Sequence, residues 1–447
     1  MLKNDVKNYF NKIILIALPI IVQGLIFQLQ TLINRAFLGN LKSEYLSVLG
    51  NVTFPYFTTI SIMFGISIGT TIVVAQNIGA KKMKEAKAYS EASIGYNLLL
   101  STILFFIWFF FSKKIFSILG VDNILIDYCV SYIQILSFSL IIFGVDTSIQ
   151  SILLGIGLTK PIMYSGICKV ILNILLDWVL IFGKLGFPEL GLRGAALSTT
   201  ISNIIATGIL IAYIFISKKL PFKFSLKEIV KARWEKYRDV IKVGIPAGFE
   251  QFAWHFANLF LIRALNSISN IAVGIYTLTF GMEVLVFCFY TGIGKSTLTL
   301  IGHKTGERNE KEVKNIMNVS IIYNIFITSI FGLSFILFPE QILSIFTNDK
   351  LIIEKAAFFL IVTSFILFPK SLNAVVGNGI RGIGDTKWML YTQLFGTGFI
   401  IITSYTLIFF LKVGIIGIYI TLFSDELIRS ILNLIRFYKM KKQTIVI

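Results

Sequence analysis

Charge is scarce in this sequence. Only 14% of its 447 residues are Asp, Glu, Lys or Arg, against the roughly 25% usual in soluble domains. Histidine and cysteine are scarcer still, at two and three residues. Cys129, Cys168 and Cys288 form no metal-ligand spacing, and His255 and His303 stand far from other ligand types, so zinc is not indicated. Three motifs are missing that would suggest an enzyme or an ATP-driven pump: HExxH, GxSxG and a phosphate-binding GKS/T loop. No intramembrane nucleophile, acid/base pair or metal cluster is visible either. A cleavable leader is not expected, because the first apolar run contains Pro19 and has no small-residue cleavage pattern.

What fills the space is hydrocarbon. The chain is 55% hydrophobic, holds 41 phenylalanines and has a mean hydropathy of +0.81. Apolar runs of about 20 residues recur, each able to cross roughly 30 Å of lipid as a helix. They predict an all-α membrane protein of twelve spans, beginning near residues 11, 45, 88, 124, 160, 190, 240, 270, 314, 351, 386 and 414.

The formal charge of +18 raises the question of nucleic acid, and its distribution answers it. With the N-terminus inside, the segments that would be cytoplasmic hold 27 of the 41 Lys and Arg, the tail beyond Lys439 included. This positive-inside bias places both termini and the middle segment in the cytoplasm of a plasma membrane. Nucleic acid is therefore not an expected partner; membrane lipid is.

The chain also repeats itself. Pro19 in "IALPIIVQG" aligns with Pro246 in "VGIPAGFEQ", Gly79 with Gly306, and "GIGLTKPIMY" (155–164) with "GIGDTKWMLY" (382–391), always 227 residues apart. Two six-helix lobes follow, 1–217 and 240–447, joined by a basic linker at 218–239. Six is even, so the lobes share an orientation and are related by a pseudo-two-fold axis along the membrane normal, an arrangement typical of carriers with a central site. In the linker, Phe224, Ile229, Val230 and Trp234 lie among basic residues and predict an amphipathic surface helix.

Within "KVILNILLDWVLIFG" (169–183), Lys169, Asn173 and Asp177 fall at spacings of four and share a helix face. An ionisable group at bilayer depth costs at least about 2.5 kcal/mol and marks a candidate site. The alternative is a structural ion pair or an interhelical hydrogen bond. At 227 residues further on stand Ile400 and Ser404, so the six-helix scaffold itself does not require the Asn173 and Asp177 pair.

The openings "LPIIVQGLIFQLQTLINRAFLGN" and "FGISIGTTIVVAQNIGAKKMKEAK", with "RGIGDTK" after the tenth span, resemble the multidrug and toxic compound extrusion (MATE) family of the MOP flippase superfamily. The resemblance covers essentially the whole chain. It implies a V-shaped central cleft and an antiporter, active as a monomer, that exports organic, often cationic compounds in exchange for Na+ or H+. It also implies a coupling-cation site of Asp177 and Asn173 on helix five, with Thr199 and the Ala195 carbonyl on helix six. On helix one the family's aspartate falls on Asn34, so one carboxylate is missing. Na+ at Asp177, Asn173 and Asn34 and H+ at Asp177 alone both stay open, with sodium favoured because the amides are retained.

For the substrate cleft, the resemblance points to Glu250 on helix seven, whose repeat equivalent is Gln23. It also points to Lys370, which stands where some relatives carry an aspartate. Asp146 on helix four and its equivalent Asn373 lie at a matching level. The competing reading is a lipid-linked saccharide flippase, which would need a strongly cationic cavity for pyrophosphate; Lys370, Lys295 and Arg263 are its candidates.

Overall fold

A bilayer offers no water to an unpaired peptide group, so an apolar chain of this kind satisfies its backbone internally and becomes helical. The computed structural model describes residues 3–39, 41–347 and 349–439. Its first half comprises α1 (Lys3–Gly39), α2 (Ser43–Gly79), α3 (Met83–Ile118), α4 (Asn123–Ile156), α5 (Lys160–Phe182) and α6 (Leu192–Ile216). A short α7 (Leu226–Val230) leads to α8 (Trp234–Asn266), α9 (Asn270–Gly306), α10 (Glu310–Leu337) and a short α11 (Pro339–Ser344). The chain ends in α12 (Lys350–Ile383), α13 (Thr386–Tyr405), a π-helical turn at Thr406–Phe410, and α14 (Ile416–Lys439).

Twelve of the described helices run from 20 to 37 residues. Ten are long and apolar enough to cross a membrane. The other two, α8 and α14, hold buried charges, Glu250 on one and Asp425, Glu426 and Arg429 on the other. The fold is the all-α, twelve-helix arrangement the sequence predicts.

The 227-residue repeat reappears in the element boundaries. α1 ends at Gly39 and α8 at Asn266, α2 spans Ser43–Gly79 and α9 Asn270–Gly306, and α4 ends at Ile156 and α12 at Ile383. Backbone details follow the same offset. Gly157 and Gly384 close their helices at φ +92° and +105°, the left-handed cap that glycine adopts without steric cost. Lys81 and Arg308 take φ +59° and +56° in the turns after α2 and α9. Thr70 donates to Ser93 at 3.0 Å and Thr297 to Ser320 at 2.8 Å, one polar link made twice.

The contacts divide into two compact units. One holds Val22–Ile78 and Lys82–Ile245; the other holds Met1–Ile21, Gly79–Lys81 and Pro246–Ile447. They are called the N-unit and the C-unit below. In the N-unit, α5 and α6 meet at Gly194, where a Cβ would stand 2.6 Å from the Leu180 carbonyl oxygen. That close approach brings the polar residues of α5 and α6 within reach of each other.

The linker corrects the expected amphipathic helix. Within it Leu226–Val230 is helical and α8 starts at Trp234, with a non-helical break at 231–233; Phe224 and Ile229 are buried in the N-unit while Val230 and Trp234 stay exposed. The break at 231–233 divides the segment, so it is not one continuous surface helix.

Candidate functional site

The N-unit cluster is built by three helices. Asn173 and Asp177, one turn apart on α5, are fully buried. Opposite them on α6, Ser198 donates its hydroxyl to Asp177 Oδ1. From α1, Gln30 meets the Asn173 amide at 2.5 Å. The orientation of an amide follows from its neighbours. Set accordingly, Asn34 donates to Asp177 Oδ2 at 2.8 Å and Asn173 donates to the same oxygen at 3.2 Å. The Asn173 oxygen then accepts from the Thr199 backbone N–H at 3.2 Å.

Asp177 is thus a membrane-depth carboxylate whose contacts among the described residues are neutral donors, with no lysine or arginine in ion-pair contact. The Ala195 carbonyl lies 3.0 Å from Ser198 Oγ, and the Thr199 hydroxyl 3.4 Å from the Asn173 amide. All five residues anticipated for a cation therefore lie in one neighbourhood. Two others, Ser198 and Gln30, went unnoticed in the sequence. A run of serine and threonine on α6 was the only signal for the first, and the interior face of α1 for the second.

Gln23 and Asp146 belong to the same unit but not to this cluster. Gly166 on α5 presses on Gln23, with a Cβ there 2.8 Å from Gln23 Cγ. Asp146 accepts from Gln150 at 2.7 Å and from Thr207 at 3.4 Å, and Lys169 is the cation whose field reaches it. Lys169 is two turns, about 12 Å, from Asp177 along α5. The three-residue stripe therefore divides: Asn173 and Asp177 share one cluster, and Lys169 lies outside it.

In the C-unit, Glu250, Lys370 and Asn373 enter a network of buried charges. Glu250 on α8 pairs with Arg381 on α12, and Lys370 on α12 pairs with Glu283 on α9. Asn373 donates to Glu426 at 2.8 Å and accepts from Asn433 at 2.7 Å. Arg429 binds Asp425 through Nε and Nη2, at 3.0 and 2.7 Å to its nearer oxygens, and reaches Glu426 at 3.2 Å. Four carboxylates (Glu250, Glu283, Asp425, Glu426) thus stand with three cations (Lys370, Arg381, Arg429). Asn258, Tyr276, Lys370, Asp425 and Arg429 line a cavity of about 20 Å³, room for one water-sized guest and not for an organic molecule. Of these charged groups, Arg381, Glu283, Asp425, Glu426 and Arg429 were not singled out for the site. A sequence shows isolated charges on separate spans, and only packing pairs them.

Among the described residues, no group of three His, Cys, Asp or Glu is placed to hold a metal ion. The clusters offer oxygen donors, ion pairs and amides. They can hold a small cation or a proton and can present charge to a larger molecule.

Comparison with known proteins matches the family model MatE twice, at residues 19–179 and 246–406, again 227 apart. A transporter of Bacillus subtilis, YisQ, is 28% identical over 83% of this chain and 82% of its own length. A probable multidrug resistance protein, NorM, of Thermotoga maritima is 26% identical over 97% of this chain and 93% of its own. A MOP superfamily transporter from Pyrococcus furiosus, described as having a binding pocket of reverse polarity that suggests a different function, superposes with a TM-score of 0.88 at 20% identity, covering 96% of this chain and 94% of that one.

Proposed function

This chain belongs to the MatE family of membrane transporters, and we propose that it is a secondary antiporter exporting cationic or amphipathic organic compounds in exchange for Na+ or H+. The observation that carries the reading is the buried, cation-free Asp177 with its three neutral donors. An ionised carboxylate at that depth lacks a compensating charge, and a proton or a small cation supplies it.

The two asparagines suit either ion, because an amide presents N–H on one side and oxygen on the other. Without a cation, both nitrogens satisfy the acid. With sodium, both oxygens turn inward beside Asp177 and Ser198, an all-oxygen set for a hard cation. With a proton, Asp177 becomes a donor to an amide oxygen. Sodium is our first candidate, since four side chains from three helices converge on one point.

Loading this site repacks α1 against α5 and α6 and lowers affinity for substrate. The coupling is reciprocal: substrate equally lowers affinity for the ion. The lobes 1–217 and 240–447 alternate access about the 218–239 linker in a monomer, with both termini cytoplasmic as the basic segments favour.

The C-unit network supports a cationic substrate over the flippase reading. Lys370 is committed to Glu283, Arg381 to Glu250 and Arg429 to Asp425 and Glu426. Arg263 is exposed three residues before the end of α8. Cations already paired are poor partners for a pyrophosphate; Lys295 on α9, the remaining candidate of that reading, is exposed and joins none of these pairs.

The test is ethidium flux in proteoliposomes under separate sodium and proton gradients, for wild type and Asp177→Asn. We expect wild-type flux with one gradient and background flux in the variant at equal protein level. Undiminished flux in Asp177→Asn would overturn the site; no wild-type flux with either gradient would overturn the antiporter.

A further inference from the structure

The stretch between α6 and α8 takes no part in either cluster, yet the N-unit holds it at a definite depth. α3 carries no charged residue between Glu91 and Lys113. Those 21 residues, 92–112, rise about 31 Å as a helix, which is the thickness of the hydrocarbon core. Glu91 therefore marks the level of the lipid headgroups at that end.

The linker is fastened to α3 at this level. The Ser225 backbone N–H donates to Glu91 at 3.4 Å, and Tyr96 donates to the Ala232 carbonyl at 3.1 Å. Lys87 pairs with Glu228, and Ile229 closes on Gly95, where a Cβ would stand 2.8 Å from the Ile229 oxygen. One face of the segment is thus committed to protein, with Phe224 and Ile229 buried.

The other face is not. Leu226 and Val230 on α7 and Trp234 at the start of α8 are 68%, 86% and 53% exposed. Lys223, Lys227 and Lys231 are exposed too. The exposed apolar side chains of α6 continue to its last residue, Ile216, so the lipid-facing band runs along the chain into the linker.

We propose that this outer face is a docking surface for anionic phospholipid. Leu226, Val230 and Trp234 enter the boundary between headgroups and acyl chains, where tryptophan is favoured. Lys223, Lys227 and Lys231 meet the phosphates, each lysine favouring anionic lipid by a factor of roughly five. A soluble protein partner would have to displace lipid at the depth set by Glu91. The proposal rests on the membrane reading, and its lipid chemistry does not depend on which side the linker occupies.

The test uses the full chain in nanodiscs of phosphatidylcholine with increasing phosphatidylglycerol. Cys129, Cys168 and Cys288 are replaced by alanine, and a nitroxide is attached at Val230→Cys or, as the aqueous reference, at Lys311→Cys. The label at 230 should be shielded from a water-soluble nickel chelate and open to oxygen, increasingly so as phosphatidylglycerol rises. Lys227→Gln should raise the fraction needed for half-maximal shielding by roughly fivefold. Chelate access at 230 equal to that at 311 in every lipid overturns the docking; shielding that ignores phosphatidylglycerol overturns the anionic recognition. An impermeant maleimide applied to intact cells carrying Lys219→Cys reports the side separately. Reaction there would refute the cytoplasmic placement and leave the nanodisc result standing.

Discussion

Ser198 on α6 donates its hydroxyl to Asp177 on α5, and at the equivalent positions of the second repeat the two groups change places: Ser404 follows Asp177, and Asp425 follows Ser198. The exchanged acid also changes company. Asp425 is clamped by Arg429, while Asp177 has only neutral donors. The same chemical group is thus held by an arginine in one repeat and by neutral donors alone in the other; on the proposed function, the second is the one that takes the ion.

Two substitutions separate those roles. Asp177→Asn should reduce ion-driven ethidium flux to background while leaving the melting temperature in detergent unchanged or raised, because a buried charge is removed. Asp425→Asn should lower the melting temperature, since Arg429 loses its closest partner. The reverse pattern, with a melting loss only in Asp177→Asn, would assign the roles the other way.

The ion site should respond to its walls by degrees. A hydrogen bond to a charged group contributes about 1.5–3 kcal/mol, so Ser198→Ala should raise the half-saturating sodium concentration by roughly tenfold or more. Asn34→Asp adds the second carboxylate and should lower it. Sodium-dependent flux measured against sodium concentration checks both. No change in either variant would place the ion elsewhere.

Glu250 and Arg381 make a buried pair. Removing one member strands the other, at about 3–5 kcal/mol. Arg381→Gln should therefore be markedly less stable than Arg381→Gln combined with Glu250→Gln. Thermal unfolding of the two in the same detergent decides it; a double variant no more stable than the single one would mean that the pair is not closed on itself.

Gly194 brings α6 onto the backbone of α5. Gly194→Ala should push the helices apart at a cost of about 1–3 kcal/mol and weaken sodium activation, since Ser198 is one turn further along α6. A variant with wild-type unfolding and wild-type sodium response would show that the contact is not needed.

Outside the membrane spans, pairing with Lys87 holds the Glu228 carboxyl below its ordinary range. A depressed acid stabilises the fold above its unfolded value and ceases to do so as pH falls through the folded one. The link from α7 to Lys87, with Glu91 beside it, should then hold at neutral pH and loosen below the usual carboxylate range. Amide exchange over residues 223–231 should quicken in acid relative to the rate expected from pH alone. Glu228→Gln should remove that dependence.

Much of this was legible in the chain itself. A fixed offset from Pro19/Pro246 to Gly155/Gly382 implied two like-oriented halves, and helix ends such as Gly39/Asn266 keep that offset. Asn173 and Asp177 could be read because hydrocarbon makes polar residues conspicuous and spacing by four puts them on one face. Ser198 could not, because a serine in a membrane helix is cheap: its hydroxyl can bond to its own backbone, as Ser202 does to the Ser198 carbonyl. The pairs Lys370 with Glu283 and Glu250 with Arg381 were hidden for another reason. Each joins residues 87 and 131 apart, and which helix faces which is decided by packing. The linker misled because Ile229 and Val230 are adjacent and equally apolar, while one is buried and the other exposed.

Lys81 and Arg308 hold the same left-handed turn in both repeats, a conformation that costs a side-chain-bearing residue roughly 1–2 kcal/mol and glycine nothing comparable. Two basic residues in places where glycine would be easier imply that the cations matter before folding is finished. During biogenesis, positive loops are retained on the cytoplasmic face as successive helices enter the bilayer. On the cytoplasmic placement proposed above, the two turns act as topogenic marks, kept at some expense to the mature protein. Lys81→Gly with Arg308→Gly should give a population that melts higher once purified, yet inserts in mixed orientation in the cell, as protease accessibility of the loops would report.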